Sequence, residues 1–293
     1  MFERAARSVA SSNGVSVVVY EERATTDAVH DSPILYSHAT GFHGRVFAPV
    51  ARHLTDRTQI TFDYRGYGDT AAPVGWQLTW DGFGDDAIAV ARDSVDRHHG
   101  RRLVGVGHSM GGAGLVMAAL RDPSLFAALV LFEPIIFPPE VRSQAGRGNT
   151  LADVTRKRRT VFPSYDDAIA NFASKPPLGS LATETLEAYV RYGFEQRVDG
   201  VHLKCQPEFE AQTYEMGAQH DTWSRLGELA VPVWVMAGSF APSTPAAIAP
   251  RIHELIPRST LIAWTDRGHF GPLEDPARFA ATIRDVADHI AAA

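Results

Sequence analysis

One serine in this chain sits where a nucleophile would. The run Val104-Gly105-Val106-Gly107-His108-Ser109-Met110-Gly111-Gly112 carries apolar residues straight into Gly-His-Ser-Met-Gly, and a small-residue, helix-compatible stretch (113–120) follows. A G-x-S-x-G sequence between a buried strand and a helix is the nucleophile-elbow pattern, in which a strained one-residue turn lifts the hydroxyl clear of the sheet edge. Glycine is needed at 107 and 111 because strand and helix pass so close there that a Cβ would collide. The helix that follows aims its N–H groups and positive dipole end at the serine, where negative charge develops during acyl transfer. A serine hydroxyl attacks only when a base takes its proton, an anion orients that base and hydrogen-bond donors receive the oxyanion.

Elements able to hold such a turn lie on either side of it. Residues 15–21 form a β-branched run after Asn13-Gly14, the composition of a hairpin strand. Further apolar strands are expected at 33–38, 59–64, 128–134, 231–238 and 259–266, and helices at 46–54, 81–98, 245–255 and 276–290. Strands alternating with helices of this length give a mostly parallel, doubly wound sheet covered on both faces, whose ligands sit at the carboxyl ends of the strands. Between 134 and 223 the rhythm breaks into helix-like pieces (164–173, 183–194), many prolines and the basic run Arg156-Lys157-Arg158-Arg159. The expected organisation is an α/β core of residues 1–134 and 227–293 with a mostly helical cap, 135–226, inserted between two of its strands. On an acidic chain a four-residue basic run is expected to be a solvated helix face.

Composition narrows the function classes. The 293 residues, 45% hydrophobic and 21% charged, are those of an ordinary globular protein, and a net charge of −6 argues against a nucleic-acid partner. The single cysteine, Cys205, excludes an internal disulfide and disfavours a cysteine metal site. No His/Asp/Glu spacing suggests a metal, no loop could cradle a phosphate, and no cofactor is expected. The start Met1-Phe2-Glu3-Arg4 lacks a signal-like apolar run and no stretch is long and apolar enough to span a membrane, so a cytoplasmic protein without a membrane partner is expected.

Four segments together resemble one family: His38-Ala39-Thr40-Gly41-Phe42, Asp63-Tyr64-Arg65-Gly66-Tyr67-Gly68-Asp69, Gly107-His108-Ser109-Met110-Gly111, and 268–276, Gly-His-Phe-Gly-Pro-Leu-Glu-Asp-Pro. In this order and spacing the chain resembles the α/β-hydrolase-fold serine hydrolases, over residues 30–134 and 230–290. The resemblance covers the cap least. It implies that Ser109 is the nucleophile and that His269, in the loop after the last strand, is its base; a free imidazole titrates near pH 6.5 and can take and return the proton. His108 is expected to be a packing residue pointing away from the elbow, and His38 to order the loop after its strand. The segment 63–69 is expected to be structural, its aspartates and Arg65 tying loops together.

The acid departs from the commoner family pattern, which places Gly-x-x-Asp after the strand here spelled 231–238. This chain reads Gly238-Ser239-Phe240-Ala241, with no Asp or Glu between Glu228 and Glu254. Glu133, in Leu131-Phe132-Glu133-Pro134, resembles the acid that many haloalkane dehalogenases keep one strand earlier. A carboxylate ending an otherwise apolar strand is also costly to bury without a partner. Glu133 is therefore the expected acid, with Asp266 as the alternative. The oxyanion donors are expected to be the N–H of Met110 and, aligning on Gly41, that of Phe42, with Thr40 as the other candidate.

A serine at the elbow implies hydrolysis of a carboxylic ester or lactone of a small hydrophobic substrate through an acyl-serine. Phe137 and Phe240 are expected to line the pocket. C–C bond hydrolysis or acyl transfer on the same triad, and non-catalytic binding of a small ligand, are the competing readings. The spacing says nothing about oligomeric state.

Overall fold

A computed structural model describes residues 2, 7–24, 32–72, 75, 78–142, 150–240 and 244–292. Ala241, last of the tetrapeptide that lacks an aspartate, lies outside the described residues. Eleven strands are described: β1 (Arg7–Ala10), β2 (Ser16–Glu22), β3 (Ile34–Ser37), β4 (Gln59–Phe62), β5 (Leu103–His108), β6 (Phe126–Phe132), β7 (Val161–Phe162), β8 (Phe194–Arg197), β9 (Gly200–Leu203), β10 (Val233–Ala237) and β11 (Ser259–Ala263). Eight form one sheet in the order β1-β2-β4-β3-β5-β6-β10-β11. From β4 across to β11 neighbouring strands run parallel, and β2 is antiparallel to both β1 and β4. The β1–β2 hairpin turns through Asn13 and Gly14, at φ +57° and +71°, where asparagine and glycine tolerate the left-handed region.

Alternation along these strands builds two cores, one on each face of the sheet. Val17, Val19, Leu35, Ile60, Phe62, Leu129, Leu131, Val233 and Val235 pack on one side with helices α1 (Trp80–Arg97) and α2 (Met110–Arg121). Ile34, Tyr36, Val104, Val106, Ala128, Val130, Phe132 and Met236 pack on the other with Phe279, Ile283 and Val286 of the C-terminal helix Pro276–Ala291. Each large aliphatic side chain so covered contributes roughly 1.5–3 kcal/mol relative to exposure. That rigid floor fixes where the strands end, and the candidate residues stand at those ends.

The segment between β6 and β10 carries helices α3 (Thr150–Arg156), α4 (Tyr165–Ala173), α5 (Thr183–Gly193) and α6 (Pro207–Glu215). It also carries a three-stranded antiparallel sheet, β7-β9-β8, within a segment expected to be mostly helical. The basic run is solvent-exposed at Arg156, Lys157 and Arg159 and partly buried at Arg158. Arg156 forks onto Glu208 and Glu215, Arg158 onto Glu210, and Arg159 lies 4.4 Å over the ring of Phe162. Three of its four cations thus staple the insertion together. Among the described residues no helix is long and apolar enough to cross a membrane.

Candidate active site

Ser109 occupies the single turn between β5 and α2 with φ +56° and ψ −118°. A non-glycine residue held there costs on the order of 1–3 kcal/mol, and its surroundings must impose it. They do so through the backbone. Ser109 N–H donates to Phe132 O (2.9 Å), and Ser109 O accepts from the N–H groups of Gly112, Ala113 and Ile135 at 3.0, 3.3 and 3.1 Å. The two glycines are required for different reasons. A Cβ on Gly107 would stand 2.6 Å from Gly112 Cα, whereas one on Gly111 would stand 2.1 Å from Ser37 O at the end of β3.

Glu133, one residue past β6, is the neighbouring outlier at φ +44°, pinned by its N–H to Met236 O at 2.9 Å. Its carboxylate is 1% exposed and both oxygens are used. Oε1 accepts from Gly238 N–H at 2.8 Å and Oε2 from His269 Nδ1 at 2.7 Å. Because an ionised carboxylate only accepts, the imidazole carries its proton on Nδ1 and leaves Nε2 as the basic atom. Asp266, the alternative acid, is half-exposed and turned to Arg267 and Arg278, the latter holding its carboxyl below the usual range. The structure brings Glu133 to His269 and does not bring Asp266 there.

The histidine loop is fixed from two sides. Ser239 N–H donates to Arg267 O at 2.8 Å, and His108 Nε2 donates to His269 O at 2.8 Å. His108 therefore does more than fill space: it ties the residue before the serine to the backbone of His269, their rings 4.9 Å apart. Burial and the neighbouring imidazole keep His108 well below the ordinary histidine value. His38 meets its expectation, its Nδ1 donating to Ala39 O (2.9 Å) while Nε2 accepts Tyr64 N–H (3.0 Å). Among the described hydrogen bonds none joins Ser109 Oγ to His269 Nε2, so the imidazole is bonded on its carboxylate side and not on its serine side. Such bonds often tighten only in complexes.

The loop after β3 corrects one expectation. Phe42 N–H is spent in a turn, donating to Ala39 O at 3.2 Å. Among the described hydrogen bonds, neither Thr40 N–H nor Met110 N–H has a partner. Phe42 instead contributes its ring, 5.3 Å from Tyr189 and 5.7 Å from Phe270. Phe240 is 44% exposed, and neither it nor Phe137, partly buried, stacks on these rings. Phe270 was overlooked in the sequence, although its place directly after His269 could have marked it. The 63–69 segment is structural as expected: Asp63 accepts from Gly44 and Asp69 N–H groups and Tyr20 OH, and Arg65 pairs with Asp86, both side chains wholly buried. No group of three or more His, Cys, Asp or Glu among the described residues could hold a metal ion.

Comparisons with known proteins agree with this architecture. The 2-(acetamidomethylene)succinate hydrolase of Mesorhizobium japonicum is 23% identical over 239 residues, 81% of this chain and 81% of its own. A crystal structure of E-2-(acetamidomethylene)succinate hydrolase superposes with a TM-score of 0.74 at 20% identity, covering 96% of this chain and 98% of that one. The esterase EaEST from Exiguobacterium antarcticum gives 0.71 at 17% identity, covering 96% and 99%. The sequence pattern of the Alpha/beta hydrolase family matches residues 34–282, and the chain belongs to that family.

Proposed function

We propose that the protein is a serine hydrolase that cleaves carboxylic esters or lactones through an acyl-serine, with Ser109 as nucleophile, His269 as base and Glu133 as acid. The observation that carries this is the Glu133–His269 hydrogen bond of 2.7 Å, made beside a serine forced to φ +56° at the end of the adjacent strand. Ser109 Oγ attacks the acyl carbon as its proton passes to His269 Nε2, and the carbonyl electron pair moves onto oxygen. The N–H groups of Met110 and Thr40 receive that oxyanion, each such donor contributing roughly 10²–10³ in rate. Collapse breaks the C–O bond, and the leaving alkoxide takes the proton from Nε2. Water then repeats the sequence on the acyl-serine and releases the acid. Glu133 keeps Nδ1 protonated and faces the imidazolium throughout.

The insertion acts as a cap in this scheme. Its Tyr189 ring packs on Phe42 of the oxyanion loop, and Tyr189 O accepts from His43 Nε2 at 3.2 Å. With Phe270 these rings make an apolar wall beside His269, which suits a hydrophobic acyl or aryl ester of moderate size. The test is a fluorophosphonate probe together with a p-nitrophenyl ester series of increasing acyl length. Wild type should label at Ser109 and turn over the esters, and Ser109→Ala should lose both while melting like wild type. An unlabelled wild type, or Ser109→Ala retaining turnover, would overturn the reading, as would turnover of diketones alone.

A further inference from the structure

The insertion places a buried carboxylate against the loop that carries Thr40. Glu210 of α6 is 0% exposed, and a Cβ built on Gly41 would stand 2.6 Å from its Oε1. Gly41 itself sits at φ +82°, so glycine is required there on two counts, conformation and room. An ionised carboxylate in this position is a poor neighbour for a developing oxyanion, because like charges in a desolvated site repel strongly. Arg158 answers that charge with a two-pronged fork, Nη1 to Oε2 at 2.6 Å and Nη2 to Oε1 at 2.8 Å. The remaining groups facing Glu210 are neutral: Tyr214 of the same helix, which hydrogen-bonds it, Tyr189 of α5, Cys205 before α6 and Tyr67 of the loop after β4. No other cation among them could replace Arg158.

We infer that Arg158 is a positioning residue for the reaction: it cancels the charge of Glu210 beside the oxyanion loop and keeps that loop fit to receive negative charge. This deepens the hydrolase reading above and rests on it. Burial pushes the Glu210 carboxyl up and Arg158 pulls it back, so removing the guanidinium raises it further. In an Arg158→Met variant the carboxyl is neutral at low pH and ionises as pH rises. Activity is then lost progressively toward alkaline pH, whereas in wild type the ionised carboxylate stays paired with Arg158.

The test is steady-state ester hydrolysis across pH by wild type, Arg158→Met and Arg158→Met/Glu210→Gln, with melting curves for each. Arg158→Met should lose roughly 10- to 100-fold in kcat, the scale of one oxyanion donor or less, with a smaller change in KM and a deficit that widens as pH rises. The double variant, which carries no uncompensated carboxylate, should recover most of kcat and the wild-type pH profile. A double variant as slow as Arg158→Met, or a deficit independent of pH, would overturn the inference, since lost packing alone would not be rescued by Glu210→Gln. If Arg158→Met does not fold, Arg158→Lys decides. It keeps the charge, so kcat should stay within about tenfold of wild type with an unaltered alkaline limb, and a hundredfold loss in a native-melting protein would overturn the idea. Failure of wild type to label at Ser109 would sink the hydrolase reading instead, leaving the two failures distinct.

Discussion

One carboxylate lies close to His269 in sequence and another close to it in space, and they teach opposite lessons. Asp266 is three residues away in sequence, half-exposed, and shared between Arg267 and Arg278 on the rim. Glu133 is 136 residues away, 1% exposed, and joined to the imidazole at 2.7 Å. Nearness along the chain decided nothing. Orientation of an imidazole needs a carboxylate that is desolvated, aimed and unable to swing, and the sheet supplies that at the end of β6. The neighbouring end of β10, where the commoner family pattern puts its acid, contributes Gly238 N–H to Glu133 Oε1 instead.

The largest expected effect separates the two carboxylates directly. Glu133→Gln should lower kcat by roughly 10³–10⁴-fold, because the amide can present its N–H₂ to Nδ1 and hold the imidazole in the wrong tautomer. Its melting temperature should move far less than its rate. Ester kinetics on Glu133→Gln and Asp266→Asn side by side check this, and a larger loss in Asp266→Asn would reverse the comparison.

A second difference concerns how each region responds to pH. The buried side is floored by imidazoles kept neutral. Desolvation holds His38 at about 4 and His43 at about 3, and His108 lies well below its ordinary value. In the unfolded chain these groups take protons as pH falls through about 6.5, while in the folded chain they do not. The unfolded state therefore binds more protons below that point, and stability falls as pH falls from about 6.5 toward 4. With three such groups the limiting slope is about 4 kcal/mol per pH unit, from roughly 1.4 for each. Denaturant titrations at pH 7.5, 6 and 5 check the sign. Stability that stays level over this range would mean that the three imidazoles are not held neutral.

Much of this was legible in the sequence because it rests on local chemistry. The elbow announces itself by the glycines flanking Ser109, the parallel sheet by runs buried on both faces, and Glu133 by an acid ending an apolar strand. What escaped depends on contacts between distant segments. Thr40 and Phe42 are indistinguishable by spacing, and only the turn through Gly41 shows that Phe42 N–H is spent on Ala39 O. The strands β7, β8 and β9 are two to four residues long, with charged residues in Phe194–Arg197, too short and polar to register as alternation. Arg7–Ala10 is missed for the same reason, four residues at the sheet edge. Arg156 and Arg158 of the basic run find their partners on a helix about fifty residues later, information that a charge count cannot hold.

The smallest effect belongs to the rim, and it sharpens the comparison by being small. Asp266 pairs with Arg278 at 2.8 Å and with Arg267 at 3.0 Å, all three side chains at least one-third exposed. Ion pairs of that kind contribute about 0–1 kcal/mol and are screened by salt. Arg278 also lies 4.2 Å over the Trp264 ring, a contact that survives loss of the aspartate. Asp266→Asn should therefore keep kcat within about threefold of wild type and lower the melting temperature only slightly, a difference that shrinks in 0.5 M salt. A salt-insensitive loss of more than tenfold in kcat would mean that Asp266 acts on the imidazole through the 266–269 backbone. The carboxylate near in sequence would then share the work assigned to the one near in space.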